Sequence, residues 1–315
     1  MTRTTWTNIP TTPLLFVALA AMWGTSFVAI EVGLEFFPTL SFAALRYELA
    51  GLVMLAYALY STDRWRPETR DELLATAIGA VFIIAAHHGL LYLGQEHVPG
   101  AVASIIISLS PILTAVFASF VLTEGSLGRT ATVGLLAGFA GVVLVADPVS
   151  AFSGSAGSTQ GLGIVLIFLA AVSFALGAVL TRPLRTDLPV QSMQAWAMLG
   201  GGVLLHGWAL ANGESLSAIE LAPAGIASFL YLTLVSGAVA FLLYFELLDR
   251  LGPTELNLIG YVEPVVAALM SWALLGHVID ATALVGFGAI FFGFAAMKKE
   301  TLVSVAVAVR RRVAA

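Results

Sequence analysis

The sequence predicts an all-α membrane protein of ten transmembrane helices, built as two inverted five-helix repeats with both termini in the cytoplasm. Three observations predict it. The composition is too apolar for a water-exposed surface, the basic residues fall on one side of the expected spans, and the two halves resemble each other at fixed offsets.

Hydrophobic residues make up 59% of the 315-residue chain and charged residues only 10%, with a mean hydropathy of +0.96. Soluble domains carry about 25% charged residues. So few charges cannot cover a soluble surface, whereas a lipid-facing surface needs almost none. The absence of cysteine excludes disulfides, thiolate metal sites and cysteine nucleophiles. A net charge of −5 is no signature of nucleic-acid binding. There is no HExxH metal motif, and Ser155 lacks both a nucleophile-elbow pattern and a nearby histidine. Neither an enzyme, a metal nor a cofactor is expected.

Apolar segments of spanning length lie at about 13–34, 39–60, 73–94, 99–122, 130–147, 162–182, 190–211, 223–247, 254–275 and 280–297. Polar or turn-forming stretches separate them, such as Ser61 to Pro67 and Asn212 to Ser215, and the short links make consecutive helices antiparallel neighbours. Ala18-Leu19-Ala20 mimics a signal cleavage site. Only about five apolar residues precede it, fewer than the usual 7–15 of a signal core, so the segment reads as the first span. The Gly/Ser-rich stretch 150–161 reads as a flexible linker between domains at 13–147 and 162–297, and 298–315 as a basic cytoplasmic tail.

The charges orient the spans. Arg3 precedes the first; Arg64, Arg66 and Arg70 follow the second, Arg129 the fourth, Arg182 and Arg185 the sixth, Arg250 the eighth, and Lys298, Lys299 and Arg310 to Arg312 the tenth. Thirteen of the fourteen basic residues thus share one side, which the positive-inside rule makes cytoplasmic. The tail arginines would rest on the anionic inner leaflet.

Tyr92 matches Tyr244 at an offset of 152, Ser110-Pro111 matches Glu263-Pro264 at 153, and Gly134 and Gly141 match Gly286 and Gly293 at 152. Ser26-Phe27 matches Ser173-Phe174 more weakly. Five spans per half make the second half enter the membrane from the opposite side, the inverted-repeat architecture of secondary transporters.

Met22-Trp23-Gly24-Thr25-Ser26-Phe27, the run Pro38 to Tyr47, and Ser108-Leu109-Ser110-Pro111 through Glu124 resemble an EamA repeat of the drug/metabolite transporter superfamily. The resemblance covers nearly the whole chain. It implies ten helices in two repeats and transport, often export, of small metabolites. Two positions depart from the family pattern: Glu31, where lysine is common, and His277, where the second repeat usually carries glutamate.

Ionisable residues within spans are costly and mark sites. Arg46 is the one basic residue inside a span. Glu31 lies at a similar depth on the preceding helix and is its expected partner, as an outer gate, an anchor for a substrate carboxylate, or a structural pair. Glu48, two residues from Arg46, faces elsewhere. Glu263 lies about 15 Å into the ninth span, where an unpaired carboxyl is a candidate for proton coupling. Pro264 and Pro111 each remove a backbone donor and free a carbonyl, beside Ser108 and Ser110. His87 and His88 point about 100° apart; one would line the cavity and the other pack. Trp23, Tyr92, Tyr244, Asn257 and Tyr261 complete the candidate substrate or gating residues. Trp196 reads as an aromatic of open facing, His206 and Trp208 as interfacial belt residues. The Gly134/Gly138 and Ala289/Gly293 spacings suit close helix packing.

These features point to a secondary active carrier, an exporter of a small metabolite such as an amino acid, with access alternating around a midplane site. A facilitative channel or uniporter is the alternative. Expected partners are the substrate and the lipid bilayer, without nucleic acid, for a monomer or homodimer in the cell membrane.

Overall fold

The computed structural model describes residues 11–122, 129–146, 157–252, 256 and 258–297, and these contain helices and turns without a strand. Six helices are long and apolar enough to cross a membrane, joined by shorter apolar ones. In chain order the elements are α1 (Thr11–Gly33), α2 (Thr39–Ser61), α3 (Arg70–Gln95), α4 (Gly100–Val121), α5 (Arg129–Ala146), α6 (Gly157–Leu180), α7 (Val190–Ala211), α8 (Pro223–Leu251), α9 (Ile259–Leu275) and α10 (Ala281–Met297).

Proline and glycine punctuate the chain. Pro38, Pro99 and Pro189 occupy the N-caps of α2, α4 and α7, and Pro223 opens α8. Proline suits these positions because the first turn of a helix has no internal use for the missing N–H. Gly252 (φ 79°) ends α8 and Gly276 (φ 71°) ends α9 in conformations that disfavour a side chain. Thr69 and Glu72 form a reciprocal capping box at the start of α3. Asp280 precedes α10 and accepts from Ala283 N–H (2.6 Å) and the Thr282 hydroxyl (2.8 Å). These bonds hold its carboxyl below the usual range.

Two helices are not uniform. Gly79–Ala86 of α3 and Tyr231–Val239 of α8 are wound as π-helix, and their starts lie 152 positions apart. A π turn displaces the i→i−4 ladder and leaves carbonyls without their usual partners. Side chains from other helices take some of these up: Ser173 on α6 donates to Phe82 O (2.8 Å), Arg46 on α2 to Leu232 O (3.2 Å), and Trp23 on α1 to Ser236 O (3.3 Å).

Helix pairing crosses between the early and late parts of the chain. α2 packs on α7, α5 on α10, α1 on α9 and α8, and α6 on α3 and α4. Small residues permit it. A Cβ on Gly24 would strike Glu263 O and Val266, one on Gly51 would strike Leu199, and one on Gly293 would strike the backbone of Gly134 and Gly138. The small-residue spacings of α5 and α10 therefore serve packing within the chain. In lipid, this close approach replaces hydrophobic drive as the source of association. The main core gathers Leu40, Phe42, Tyr47, Tyr92, Ile105, Ile106 and Ile167. A second cluster joins Leu19 and Ala20 of α1 to Ala240 and Leu247 of α8.

Candidate functional site

Arg46 is 4% exposed, on the second turn of α2. Its guanidinium donates to the Tyr92 hydroxyl (2.8 Å), Leu232 O (3.2 Å) and the Ser236 hydroxyl (3.4 Å). It also lies 4.7 Å from the centre of the Tyr47 ring, a cation–π contact. The π winding of α8 exposes the Leu232 carbonyl to it, while Tyr92 reaches it from the last turns of α3. Ser26 on α1 bonds Ser236 (2.6 Å), and Tyr231 bonds Met22 O (2.9 Å). Four helices, α1, α2, α3 and α8, thus meet around one guanidinium.

The expected Glu31–Arg46 pair does not form. Glu31 accepts from Gly100 N–H (2.8 Å) and lies 3.1 Å from His277 Nδ1. Its carboxylate is spent on the unpaired donor at the N-terminus of α4, which the helix dipole favours. Both departures from the family pattern, Glu31 and His277, therefore belong to one contact. Glu48 turns to His206 (3.2 Å), so His206 is an interhelical partner rather than a belt residue. Trp196 donates to Trp65 O (2.8 Å) and anchors the α2–α3 turn.

The other candidates divide. Trp23 is half-buried, with Phe241 edge-on at 5.4 Å and Tyr244 at 5.5 Å, and its indole N–H reaches the same Ser236 whose hydroxyl touches Arg46. Tyr92 is fully buried on Arg46 and is no interfacial anchor. Tyr244 serves the Trp23 group, so the two matched tyrosines differ in role. His87 is committed to Ala170 O (2.9 Å) and to the Phe174 ring, which makes it the packing histidine. His88 faces Tyr47 at 4.5 Å, on the Arg46 side.

Ser108 and Ser110 donate to Ile105 O (2.6 Å) and Ile107 O (2.7 Å) of their own helix. The Ile107 carbonyl that Pro111 frees is thereby sealed, and neither serine points into the Arg46 site. Pro264 sits inside α9, and Glu263 beside it is half-buried without a hydrogen-bond or ion-pair partner among the described residues. Tyr261 packs toward Phe291 of α10 (6.0 Å). Asn257 lies outside the described residues, as do Glu124 and the basic tail.

Sequence reasoning missed Ser236, Tyr231 and Leu232 O, because a π turn leaves no composition signal. Ser26 and Tyr47 stood within the quoted motifs without a role. No group of three or more metal-ligating side chains occurs among the described residues.

Contacts join helices at both ends of α2, the helix that carries Arg46. At the end where α2 begins, Glu214 accepts from Leu40 N–H (2.9 Å) and Ser41 N–H (2.8 Å), and Phe37 stacks on Phe229. Where α2 ends, Ser192 donates to Arg64 O (2.9 Å) and Arg185 N–H to Asp71 (3.2 Å). A cavity of about 70 Å³ between α3, α6 and α7, lined by Gly79, Ile83, Thr181 and Gln194, has room for one or two waters.

An all-helical bundle with several apolar spans, crossing pairs of helices and a buried ionic centre has the build of a membrane transporter. The profile of the EamA-like transporter family matches residues 11–146 and again 161–297. The chain belongs to that family, and its role is transport rather than catalysis. It is 29% identical to the "Uncharacterized inner membrane transporter YedA" of Escherichia coli K12, over 87% of this chain and 86% of that one. It is 27% identical to the "Uncharacterized transporter YvbV" of Bacillus subtilis, over 87% of each. It is 28% identical to the "Probable terminal-alkyne amino-acid exporter" of Streptantibioticus cattleyicolor, over 91% of this chain and 93% of that one. A crystal structure of a protein 18% identical overlays with a TM-score of 0.64, covering 94% of this chain and 98% of the other, and shares the fold.

Proposed function

We propose that the chain is a secondary active transporter, an exporter of a small metabolite such as an amino acid or related compound, with access alternating around the Arg46 site. The carrying observation is that Arg46 is buried where α2 and α3 of the first family-matched segment meet α8 of the second. A site at the junction of two halves is reached from either side when one half rocks against the other. The bridging contacts at both ends of α2 belong to a closed state that opens on one side at a time, which suits a carrier better than a channel.

The finer architecture follows the same reading. Ten spans form two inverted five-helix repeats, supported by the double family match and by π stretches starting 152 positions apart. The basic residues put both termini in the cytoplasm of a cell or inner membrane, for a monomer or homodimer. Glu263, whose carboxyl beside Pro264 has no partner among the described residues, is the proton-coupling group. The test is counterflow in proteoliposomes with a panel of labelled amino acids and related acids. A carrier exchanges internal for external substrate faster than it releases it into empty medium; equal rates would contradict alternating access.

A further inference from the structure

We infer that Arg46 is the head-group site for a small organic carboxylate whose apolar or aromatic body lies toward Trp23. The inference deepens the transporter reading and rests on it.

The first argument is charge. No described acid touches the Arg46 guanidinium; its contacts are the Tyr92 and Ser236 hydroxyls, the Leu232 carbonyl and the Tyr47 ring. A buried charge without a counter-charge is disfavoured by several kcal/mol. Neutral acceptors and an aromatic face offset only part of that.

The second is that nearby acids are engaged elsewhere. Glu31 is on Gly100 N–H and His277, Glu48 on His206, Glu96 on Thr39, and Glu214 on the first turn of α2. Acids exist around the site, yet none is delivered to Arg46. An internal carboxylate would occupy the position that an arriving one must take.

The third is a surplus of donors. A guanidinium has five N–H groups, and three are used here. One N–H on each terminal nitrogen is left, and a carboxylate can accept from two such donors at once. The Tyr92 hydroxyl accepts from Arg46 and has no acceptor of its own among the described residues. Three donors and a positive charge therefore await an acceptor-only anion. A cation would find no complement.

The fourth concerns the body. Ser236 links Arg46 to Trp23, and Trp23 opens a half-buried aromatic group with Phe241 and Tyr244. Tyr47 and His88 add ring faces on the other side. Aromatic walls reward an apolar or aromatic body over a small hydrated ion.

The test holds the body constant and changes the head. Phenylacetate, phenylacetamide and phenethylamine are titrated onto the purified full-length chain, followed by tryptophan fluorescence and thermal stability, with chloride and inorganic phosphate as further probes. Phenylacetate is expected to bind about ten- to a hundredfold more tightly than the amide, the range that one charged hydrogen-bonded contact supplies. Arg46→Met should abolish that preference by bringing acid binding down to the level of the amide, and Arg46→Lys should retain part of it; gel filtration checks the fold. Equal binding of acid and amide, retained preference in Arg46→Met, or no binding by any organic probe would overturn the inference. So would inorganic anions binding as tightly as phenylacetate with the same dependence on Arg46. Because binding is read without flux, failure of the transport reading shows separately, as absent counterflow with the head-group preference intact.

Discussion

Two arginines of this chain sit in opposite situations. Arg64, 38% exposed in the turn before α3, bonds Glu72 at 2.7 Å, and the same carboxylate closes the capping box. Arg46, 4% exposed, has only neutral partners among the described residues. Where this chain needs a guanidinium fixed for structure, it supplies the carboxylate, even one that is itself buried. Where no described carboxylate is supplied, at Arg46, the proposal takes the complement from outside. The difference separates a structural ion pair from a binding group more sharply than burial or charge alone.

The predictions test this difference. Arg46→Met should lower transport of a carboxylate substrate about a hundredfold, since the charged contact is lost entirely. Arg64→Met should leave the flux of folded protein near wild type. Supplying the missing acid sharpens the contrast. Ser236→Asp would give Arg46 an internal counter-ion and should reduce carboxylate transport about tenfold or more while raising or preserving thermal stability. A variant that transports normally would mean that the site does not need an open guanidinium. Glu72→Gln should cost about 1–3 kcal/mol of stability in thermal unfolding with little change in substrate affinity, because two backbone donors and Arg64 lose their charged acceptor.

Glu263→Gln should flatten the pH dependence of flux at unchanged expression, and Ser110→Ala should not. The backbone beside Pro111 is sealed by the Ser110 hydroxyl, whereas Glu263 beside Pro264 has no hydrogen-bond or ion-pair partner among the described residues. The smallest effect is at Asp280. Its carboxyl is held below the ordinary value, so its contribution is present above the unfolded pKa and fades as pH falls through the folded one. Asp280→Ala should cost about 0.5–1 kcal/mol, at the low end for caps because the site is exposed.

Much of this fold was legible in the sequence. Proline and glycine act on the backbone locally, so α7 was read at its observed limits, 190–211, and the starts of α2, α4 and α8 within a residue. The spacing between Tyr92 and Tyr244 also separates the starts of the two π stretches, but the π winding itself had no signal. It arises from how α3 and α8 meet their neighbours. Arg46 was legible as a site residue because a charge is rare within a span, Tyr92 because it matches Tyr244 at an offset of 152, and Trp23 because it stands beside Gly24 in the quoted motif. Their partners were not. Glu31 looked like the partner of Arg46 because depth along two helices says nothing about rotation, and rotation turned it to Gly100 and His277. Ser108 and Ser110 looked available, but a serine hydroxyl near a helix break finds its own backbone first.

The central claim is that the guanidinium of Arg46, which meets no acid among the described residues, is where the substrate's charge is met. Its most direct test is counterflow of labelled phenylacetate into proteoliposomes loaded with the unlabelled acid, comparing wild type with Arg46→Met and Arg64→Met reconstituted to equal density. The account predicts trans-accelerated uptake in wild type and Arg64→Met and its loss in a folded Arg46→Met. Equal uptake by Arg46→Met and wild type would contradict it.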